Sequence, residues 1–123
     1  MVVLVKALLG LGIAIGLVFP LMGQQGEGEK PVRTISIIAE RFFFAPSKIK
    51  LKLGETVELV LTSEDTDHGF KVPAAGIDVA IPPTGKGEAR IRFTATKAGS
   101  FKFECSRACG AGHNLMRGEI IVK

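Results

Sequence analysis

The segment at residues 105–116, CSRACGAGHNLM, concentrates the side chains of this sequence that can bind a metal ion. Two thiols, Cys105 and Cys109, stand four residues apart. An imidazole at His113 and a thioether at Met116 follow them. Thiolate and thioether sulfurs are soft ligands that favour copper, and imidazole binds copper as well. Because a thioether is a poor ligand for zinc, Met116 points to copper chemistry.

A regular alternation of apolar and polar residues predicts the strands that must hold this segment in place. The alternating runs cover residues 48–53, 57–61, 89–96, 101–104 and 119–122. Glycine and proline punctuate the sequence between these runs, and no segment after residue 30 shows a long helical period. Short strands with regular turn signals predict a small, all-β, antiparallel sandwich, in which residues 105–116 form a loop between two strands.

The second histidine of the chain, His68, follows a predicted strand that ends near Thr62. Loops at one end of a β-sandwich cluster in space even when they are distant in sequence. His68 can therefore meet the loop at residues 105–116, although a histidine considered alone is more typical of a surface or capping position. The predicted metal site consists of Cys105, Cys109, His113, Met116 and His68.

The first 23 residues are almost wholly apolar and contain one charge, Lys6. As a helix, residues 7–23 would span about 26 Å, close to the roughly 30 Å of a bilayer core. A secretory signal usually has a shorter apolar region and a clear cleavage site. We therefore predict one apolar helix at residues 1–23 that anchors the chain in a membrane, with a cleaved signal segment as the alternative.

Residues 24–30 are polar and glycine-rich, as in a linker, and residues 31–123 remain for one folded domain. The positive charge of Lys6 before the apolar run and the acidic residues after it place that domain on the outer side of the membrane. The net charge is +4, but the basic residues form no stripe with interleaved aromatic residues, which argues against nucleic-acid binding. The sequence also lacks a phosphate loop or paired carboxylates that would indicate hydrolysis.

The pattern C-S-x-x-C-G-x-x-H-x-x-M, with HGF at residues 68–70, resembles the CuA domain of cytochrome c oxidase subunit II. It is also similar to the CuA domain of nitrous oxide reductase. The resemblance extends to RFFFAP at residues 41–46 and GEIIV at residues 118–122, so it covers about residues 33–123. It implies a cupredoxin-like Greek-key β-sandwich, and the single apolar segment before the domain resembles the single-anchor form of that subunit.

The resemblance also implies a site for two copper ions. The implied ligands are His68, Cys105, the backbone carbonyl of Arg107, Cys109, His113 and Met116. Both thiolates would bridge the two ions, each imidazole would bind one ion, and the thioether and the carbonyl would be weak ligands. Two bridging thiolates let one electron be shared by both metals, so that the ligands move little when the oxidation state changes.

The implied function is electron transfer from a c-type cytochrome, or another soluble donor, to the large subunit of a haem–copper terminal oxidase. The chain would be subunit II or a close relative at the periplasmic, extracytoplasmic face of the cell membrane. It would carry no catalytic chemistry of its own, and His113 would face the electron acceptor. Arg107 replaces an acidic or amide residue that is common in the family, and the chain has no Trp or Tyr. Phenylalanines would then line the electron-entry surface, with residues 42–44 and Phe70 as candidates.

Other interpretations of the same residues remain open. Two cysteines four apart in an exported domain can form a disulfide, and two cysteines with two histidines match the ligand count of zinc. A mononuclear copper site needs only one cysteine, which leaves the second unexplained. A copper chaperone or thiol-redox protein for oxidase assembly is the second functional hypothesis, and a free-standing periplasmic cupredoxin is the third.

Overall fold

Nine β-strands and two 3₁₀ turns form the described part of the chain, residues 32–123, in a computed structural model. The strands are β1 (Arg33–Glu40), β2 (Phe43–Ala45), β3 (Lys48–Leu51), β4 (Thr56–Ser63), β5 (His68–Val72), β6 (Ile77–Ile81), β7 (Ala89–Thr94), β8 (Gly99–Glu104) and β9 (Arg117–Val122), and the turns are Pro73–Ala75 and His113–Leu115. One sheet has the order β2-β1-β4-β7 and the other β3-β9-β8-β5-β6. The predicted all-β sandwich is confirmed.

The predicted anchor at residues 1–23 and the linker at 24–30 lie outside the described residues. Within residues 32–123, no helix is long and apolar enough to cross a membrane.

Two of the strand pairings are parallel, so the prediction of a purely antiparallel sandwich is wrong. Strand β1 runs parallel to β4, and β3 runs parallel to β9. After β1, the chain returns along β2 in the same sheet and then crosses to β3 in the other sheet. It therefore enters β4 from the end at which β1 began. Alternation of side chains has period two in either direction, so it predicts the buried face of a strand and not its orientation.

The core lies between the two sheets and follows the predicted alternation. Val57, Leu59 and Leu61 of β4 are fully buried. They face a cluster of aromatic rings in which Phe44 packs edge-on against Phe70 and Phe103, with ring centroids 5.8 and 5.4 Å apart. Phe44 and Phe70 are thus core residues, and the prediction that they line an electron-entry surface is wrong.

The sheet register brings the distant histidine to the predicted metal loop. Strands β5 and β8 are antiparallel neighbours in which Lys71 pairs with Glu104. The start of β5, at His68, therefore extends alongside the residues that follow Glu104. Those residues, 105–116, connect β8 to β9 and are called the donor loop. This one antiparallel pairing is thus enough to place His68 beside a loop that begins 37 residues later.

Glu55 stabilises the end of the sandwich opposite to the donor loop. Its carboxylate accepts hydrogen bonds from the Lys52 backbone amide and from Arg33 Nε, both at 2.9 Å. The Lys52 amide, followed by the Arg33 side chain, lowers the pKa of Glu55 below its ordinary value. A carboxyl group with a lowered pKa stabilises the fold above its ordinary pKa, and this contribution is lost as the pH falls through the lowered value.

We expect Glu55→Gln to reduce the free energy of unfolding near neutral pH and to have progressively less effect as the solution is acidified below about pH 4. Urea unfolding of both proteins across this range measures the difference. Glu88→Gln is the control, because Glu88 only joins an exposed ion pair with Arg90, which contributes little. A stability difference for Glu55→Gln that stays constant with pH would contradict the expectation.

Candidate metal centre

The predicted donor side chains lie together where the donor loop meets the start of β5. The sulfurs of Cys105 and Cys109 are 3.9 Å apart at the middle of the group. His68 Nδ1 lies 4.0 Å from the Cys105 sulfur, and His113 Nδ1 lies 3.7 Å from the Cys109 sulfur. Met116 Sδ is 3.7 Å from the Cys109 sulfur. Two thiols therefore stand side by side, each with its own imidazole nitrogen next to it.

Arg107 contributes its backbone to this group and its side chain to the surface. The carbonyl oxygen of Arg107 accepts a hydrogen bond from the Cys105 thiol at 3.2 Å. The guanidinium instead makes an exposed ion pair with Asp67, with Nη1 3.4 Å from Oδ2. The side chain at this position can therefore change while the carbonyl stays beside the Cys105 sulfur.

The donor set is buried except at one imidazole. Cys105 and Cys109 are 6% and 5% exposed, and His68 and Met116 are fully buried. His113 is only partly buried, so its ring connects the sulfurs with the surface. Burial, reinforced by the neighbouring Cys105, raises the pKa of the Cys109 thiol to about 11. Metal binding to this thiol must therefore release a proton at neutral pH.

Asp65 holds His68 in the orientation that a metal site requires. Its Oδ1 lies 2.6 Å from His68 Nε2, and its Oδ2 accepts the Arg41 backbone amide at 2.9 Å. Burial alone would raise the pKa of Asp65, but the hydrogen bonds from Arg41, His68 and Thr66 lower it overall. Because an ionised carboxylate only accepts hydrogen bonds, the proton of His68 resides on Nε2. The lone pair of His68 Nδ1 then faces the sulfurs.

The sequence analysis did not identify Asp65. We expect Asp65→Asn to weaken copper binding by about 10- to 100-fold, the usual effect of removing a residue that orients a metal-binding histidine. Both carboxylate oxygens of Asp65 accept hydrogen bonds, whereas an amide has only one accepting oxygen. Competition with a copper chelator measures the affinity. The matched control is Asp67→Asn, two residues away with a half-exposed side chain, for which we expect little change. Equal effects of the two variants would contradict this role.

The start of β5 packs directly on the backbone of the donor loop. The Gly69 amide donates to the Cys105 sulfur at 3.4 Å. A Cβ atom at Gly69 would lie 2.0 Å from Ser106 Oγ and 2.8 Å from the Ser106 nitrogen. Ser106 Oγ in turn donates to Asp78 Oδ1 at 2.7 Å. This close approach holds Cys105 against β5, which the hydrogen bonds of the sheet keep in place.

The segment between β1 and β2 covers the other half of the donor loop. Arg41 Nε donates to the carbonyl oxygen of Cys109 at 2.7 Å. The ring of Phe42 occupies the space next to Gly110 and Gly112, where a Cβ would approach ring carbons to 2.9 and 2.3 Å. No sequence pattern indicates the contact of Arg41, because its partner is a backbone atom 68 residues away.

The donor set fits copper better than the alternatives. Both cysteines are free thiols, and their sulfurs are 3.9 Å apart, compared with about 2.05 Å in a disulfide. His68, Cys105 and Cys109 offer three donor atoms that all lie within 4.8 Å of one another. The fully buried thioether of Met116 adds a soft donor that suits copper and not zinc.

Comparison with known families identifies the fold. The sequence profile of the family described as cupredoxin-like domain matches residues 12–122. This chain belongs to that family. The cupredoxin is 34% identical to cytochrome c oxidase subunit 2 of Thermus thermophilus over 91 residues, which cover 73% of the chain and 65% of that protein. The resemblance that the sequence motif indicated is thereby confirmed.

More distant relatives and solved structures agree with this assignment. Nitrous-oxide reductase of Cupriavidus necator is 34% identical over 94 residues, but the match covers only 14% of that enzyme. The cryo-EM structure of a haem–copper terminal oxidase dimer contains a chain with a TM-score of 0.66 and 27% identity, which covers 74% of this cupredoxin and 65% of that chain. The periplasmic domain of cytochrome oxidase subunit II of Bradyrhizobium japonicum has the same fold, with a TM-score of 0.68 at 20% identity, over 77% of this cupredoxin and 86% of that domain.

The cupredoxin spans less than two thirds of the length of the first two oxidase relatives. The match covers 65% of one Thermus thermophilus protein and 52% of the other. The homology therefore covers the cupredoxin-like domain, and the cluster of His68, Cys105 and Cys109 fits a copper site.

Proposed function

We propose that this cupredoxin holds two copper ions as a CuA centre and transfers single electrons. The observation that carries the proposal is the paired arrangement of donors, with two thiol sulfurs 3.9 Å apart and one imidazole nitrogen within 4.0 Å of each. A mononuclear site would leave the second thiol without a role. The residues that would hold the ions are His68, Cys105, Arg107 through its carbonyl, Cys109, His113 and Met116.

The residues around the site support electron transfer and not bond chemistry. Copper bound there would supply a one-electron redox couple. Asp65 and the close contact at Gly69 hold the donors in place, which limits rearrangement when an electron arrives or leaves. Burial of both thiols keeps water away from them, and His113, unlike the fully buried His68, is partly exposed and can be contacted by a partner protein. The chain itself would therefore make or break no substrate bond.

The proposed partners are a c-type cytochrome or another soluble donor and the large subunit of a haem–copper oxidase. The oxidase relatives support this proposal, since one is named cytochrome c oxidase subunit 2 and another belongs to a terminal oxidase dimer. We further propose that residues 31–123 lie at the periplasmic face of the membrane, with residues 1–23 as anchor and 24–30 as linker. The periplasmic location of the related Bradyrhizobium japonicum domain supports that placement.

Copper reconstitution of the full chain in mild detergent tests the proposal. We expect two copper ions per chain after dialysis, and an electron paramagnetic resonance signal with hyperfine structure from one electron shared by two copper nuclei. One ion per chain, or a signal from a single nucleus, would overturn the two-copper centre. Preferential retention of zinc from an equimolar mixture would also overturn it.

Copper delivery during oxidase assembly is the competing function. Copper chaperones of the thioredoxin fold have early cysteines that open a helix, whereas these cysteines lie in a loop between β8 and β9 of a sandwich. Stable retention of copper against a chelator, together with reduction by a c-type cytochrome, would favour electron transfer. Rapid loss of the metal to an acceptor protein would favour delivery, and activity with several unrelated acceptors would favour a free-standing cupredoxin.

A further inference from the structure

Arg41 joins the two parts of the chain that supply the donors. Its side chain reaches from the end of β1 to the donor loop, where Nε donates to the Cys109 carbonyl at 2.7 Å. Its backbone amide donates to Asp65 Oδ2 at 2.9 Å, and the other oxygen of that carboxylate holds His68 Nε2. One residue thus contacts both the element that orients His68 and the backbone of Cys109.

The position of Arg41 is fixed by its neighbour Phe42. The Phe42 ring lies against Gly110 and Gly112, where no other side chain fits without displacing it. The part of the donor loop that the Phe42 ring covers, residues 110–112, directly follows Cys109. The guanidinium is therefore held beside the backbone of Cys109 by packing of the neighbouring ring and by a short hydrogen bond.

We propose that Arg41 is a positioning residue for the donor loop and that its charge raises the reduction potential of the metal centre. This inference rests on the proposed two-copper function. An arginine guanidinium is a fixed positive charge. An electron taken from the donor protein makes the centre one charge less positive, and no proton moves and no bond forms or breaks. A fixed positive charge nearby therefore stabilises the reduced state relative to the oxidised state.

The hydrogen bond acts in the same direction as the charge. The hydrogen bond from the Arg41 guanidinium to the Cys109 carbonyl is charge-assisted, and such bonds are stronger than bonds between neutral groups. It draws electron density from the backbone next to the sulfur. The oxidised centre, which needs more electron donation from its thiolates, is then less favoured. A residue with only a structural role would not produce this dependence on charge.

The test compares the full-length protein with Arg41→Gln and Arg41→Lys, each reconstituted with copper and equilibrated with a redox dye. We expect Arg41→Gln to shift the electron-exchange equilibrium about tenfold towards the oxidised protein, equivalent to about 59 mV for a one-electron couple. Arg41→Lys keeps the charge and is expected to stay within about threefold of the original protein.

The matched control is Arg33→Gln, which removes the same charge from the far end of β1, seven residues and about 23 Å along the strand from Glu40. We expect it to leave the equilibrium unchanged. A shift below about twofold for Arg41→Gln, with two copper ions still bound, would overturn the inference. So would equal shifts for Arg41→Gln and Arg33→Gln.

Two further outcomes separate this inference from the proposed function. Failure of the original protein to bind two copper ions would overturn the proposed function itself, whatever the variants do. If Arg41→Gln loses copper, the copper content of Arg41→Met and Arg41→Lys tests whether the charge of Arg41 is required. Normal copper binding by Arg41→Lys alone supports a role for the charge, whereas equal loss in all three variants overturns it.

Discussion

Cys109→Ser is expected to abolish the two-copper centre while leaving the sandwich folded. The Cys109 sulfur contacts three other donor side chains, at 3.7 Å from His113 Nδ1, 3.7 Å from Met116 Sδ and 3.9 Å from the Cys105 sulfur. A serine oxygen is a hard donor and a poor substitute for thiolate towards copper. Without the second sulfur the remaining donors suit a single ion at most, so we expect the copper content to fall from two ions per chain to one or none.

Metal counting and electron paramagnetic resonance check this prediction, and circular dichroism checks that the strands are retained. Ala108→Ser is the matched control, since it adds a hydroxyl group at an exposed position of the same loop. We expect this control to bind two ions with an unchanged spectrum. If Cys109→Ser kept two ions and the shared-electron signal, the bridging role of Cys109 would be wrong.

Gly69→Ala is expected to have the second largest effect, although Gly69 carries no donor side chain. The added Cβ would lie 2.0 Å from Ser106 Oγ, 2.8 Å from the Ser106 nitrogen and 3.0 Å from the Arg107 nitrogen. The serine hydroxyl can rotate away, but the two backbone nitrogens can retreat only if the donor loop moves. That movement displaces the Arg107 carbonyl and lengthens the contact of the Gly69 amide with the Cys105 sulfur.

We expect Gly69→Ala to cost about 1–3 kcal/mol of stability, as overpacking of a tight contact usually does. Copper affinity should fall by at least about tenfold, because the donors lose their support. Urea unfolding and chelator competition measure the two quantities. Gly85→Ala is the control: Gly85 has a φ of +73° and open space around its missing Cβ. It should lose stability through backbone strain without losing copper affinity.

A double variant gives a second check on the same contact. Ser106→Gly removes the hydroxyl but leaves the Ser106 nitrogen 2.8 Å from the new Cβ, so affinity lost through backbone crowding should not return. Unchanged copper binding by Gly69→Ala would show that the loop adjusts freely. The close approach of β5 to the donor loop would then have no role in holding the metal.

The donor set was predictable because it is mostly local. Cys105, Cys109, His113 and Met116 fall within one loop, so their types and spacing alone suggest the chemistry. His68 required a further argument, that loops at one end of a sandwich meet. The burial of Val57, Leu59 and Leu61 also followed from alternation within a single strand.

The contacts of Arg41 and Asp65 could not be predicted, because their partners are distant in sequence or are backbone atoms that leave no pattern in the sequence. Arg41 contacts a backbone carbonyl 68 residues away, and its amide meets Asp65 across 24 residues. An aspartate near a turn is common enough that Asp65 gave no indication of its contact with His68. The parallel pairing of β3 with β9 was also missed, since it depends on the order in which the chain visits the two sheets.

The place of β9 in its sheet has a consequence for how the protein is made. Strand β9 lies between β3 and β8, and its residues Ile120 and Val122 are buried in the core. A nascent chain that has emerged from the ribosome only as far as residue 116 therefore carries every donor but lacks the strand that joins them to β3. Sheets whose strands are distant in sequence form slowly, and their unpaired strand edges stay exposed until pairing is complete. The donor loop is therefore held at both of its ends only once β9 has paired with β3 and β8.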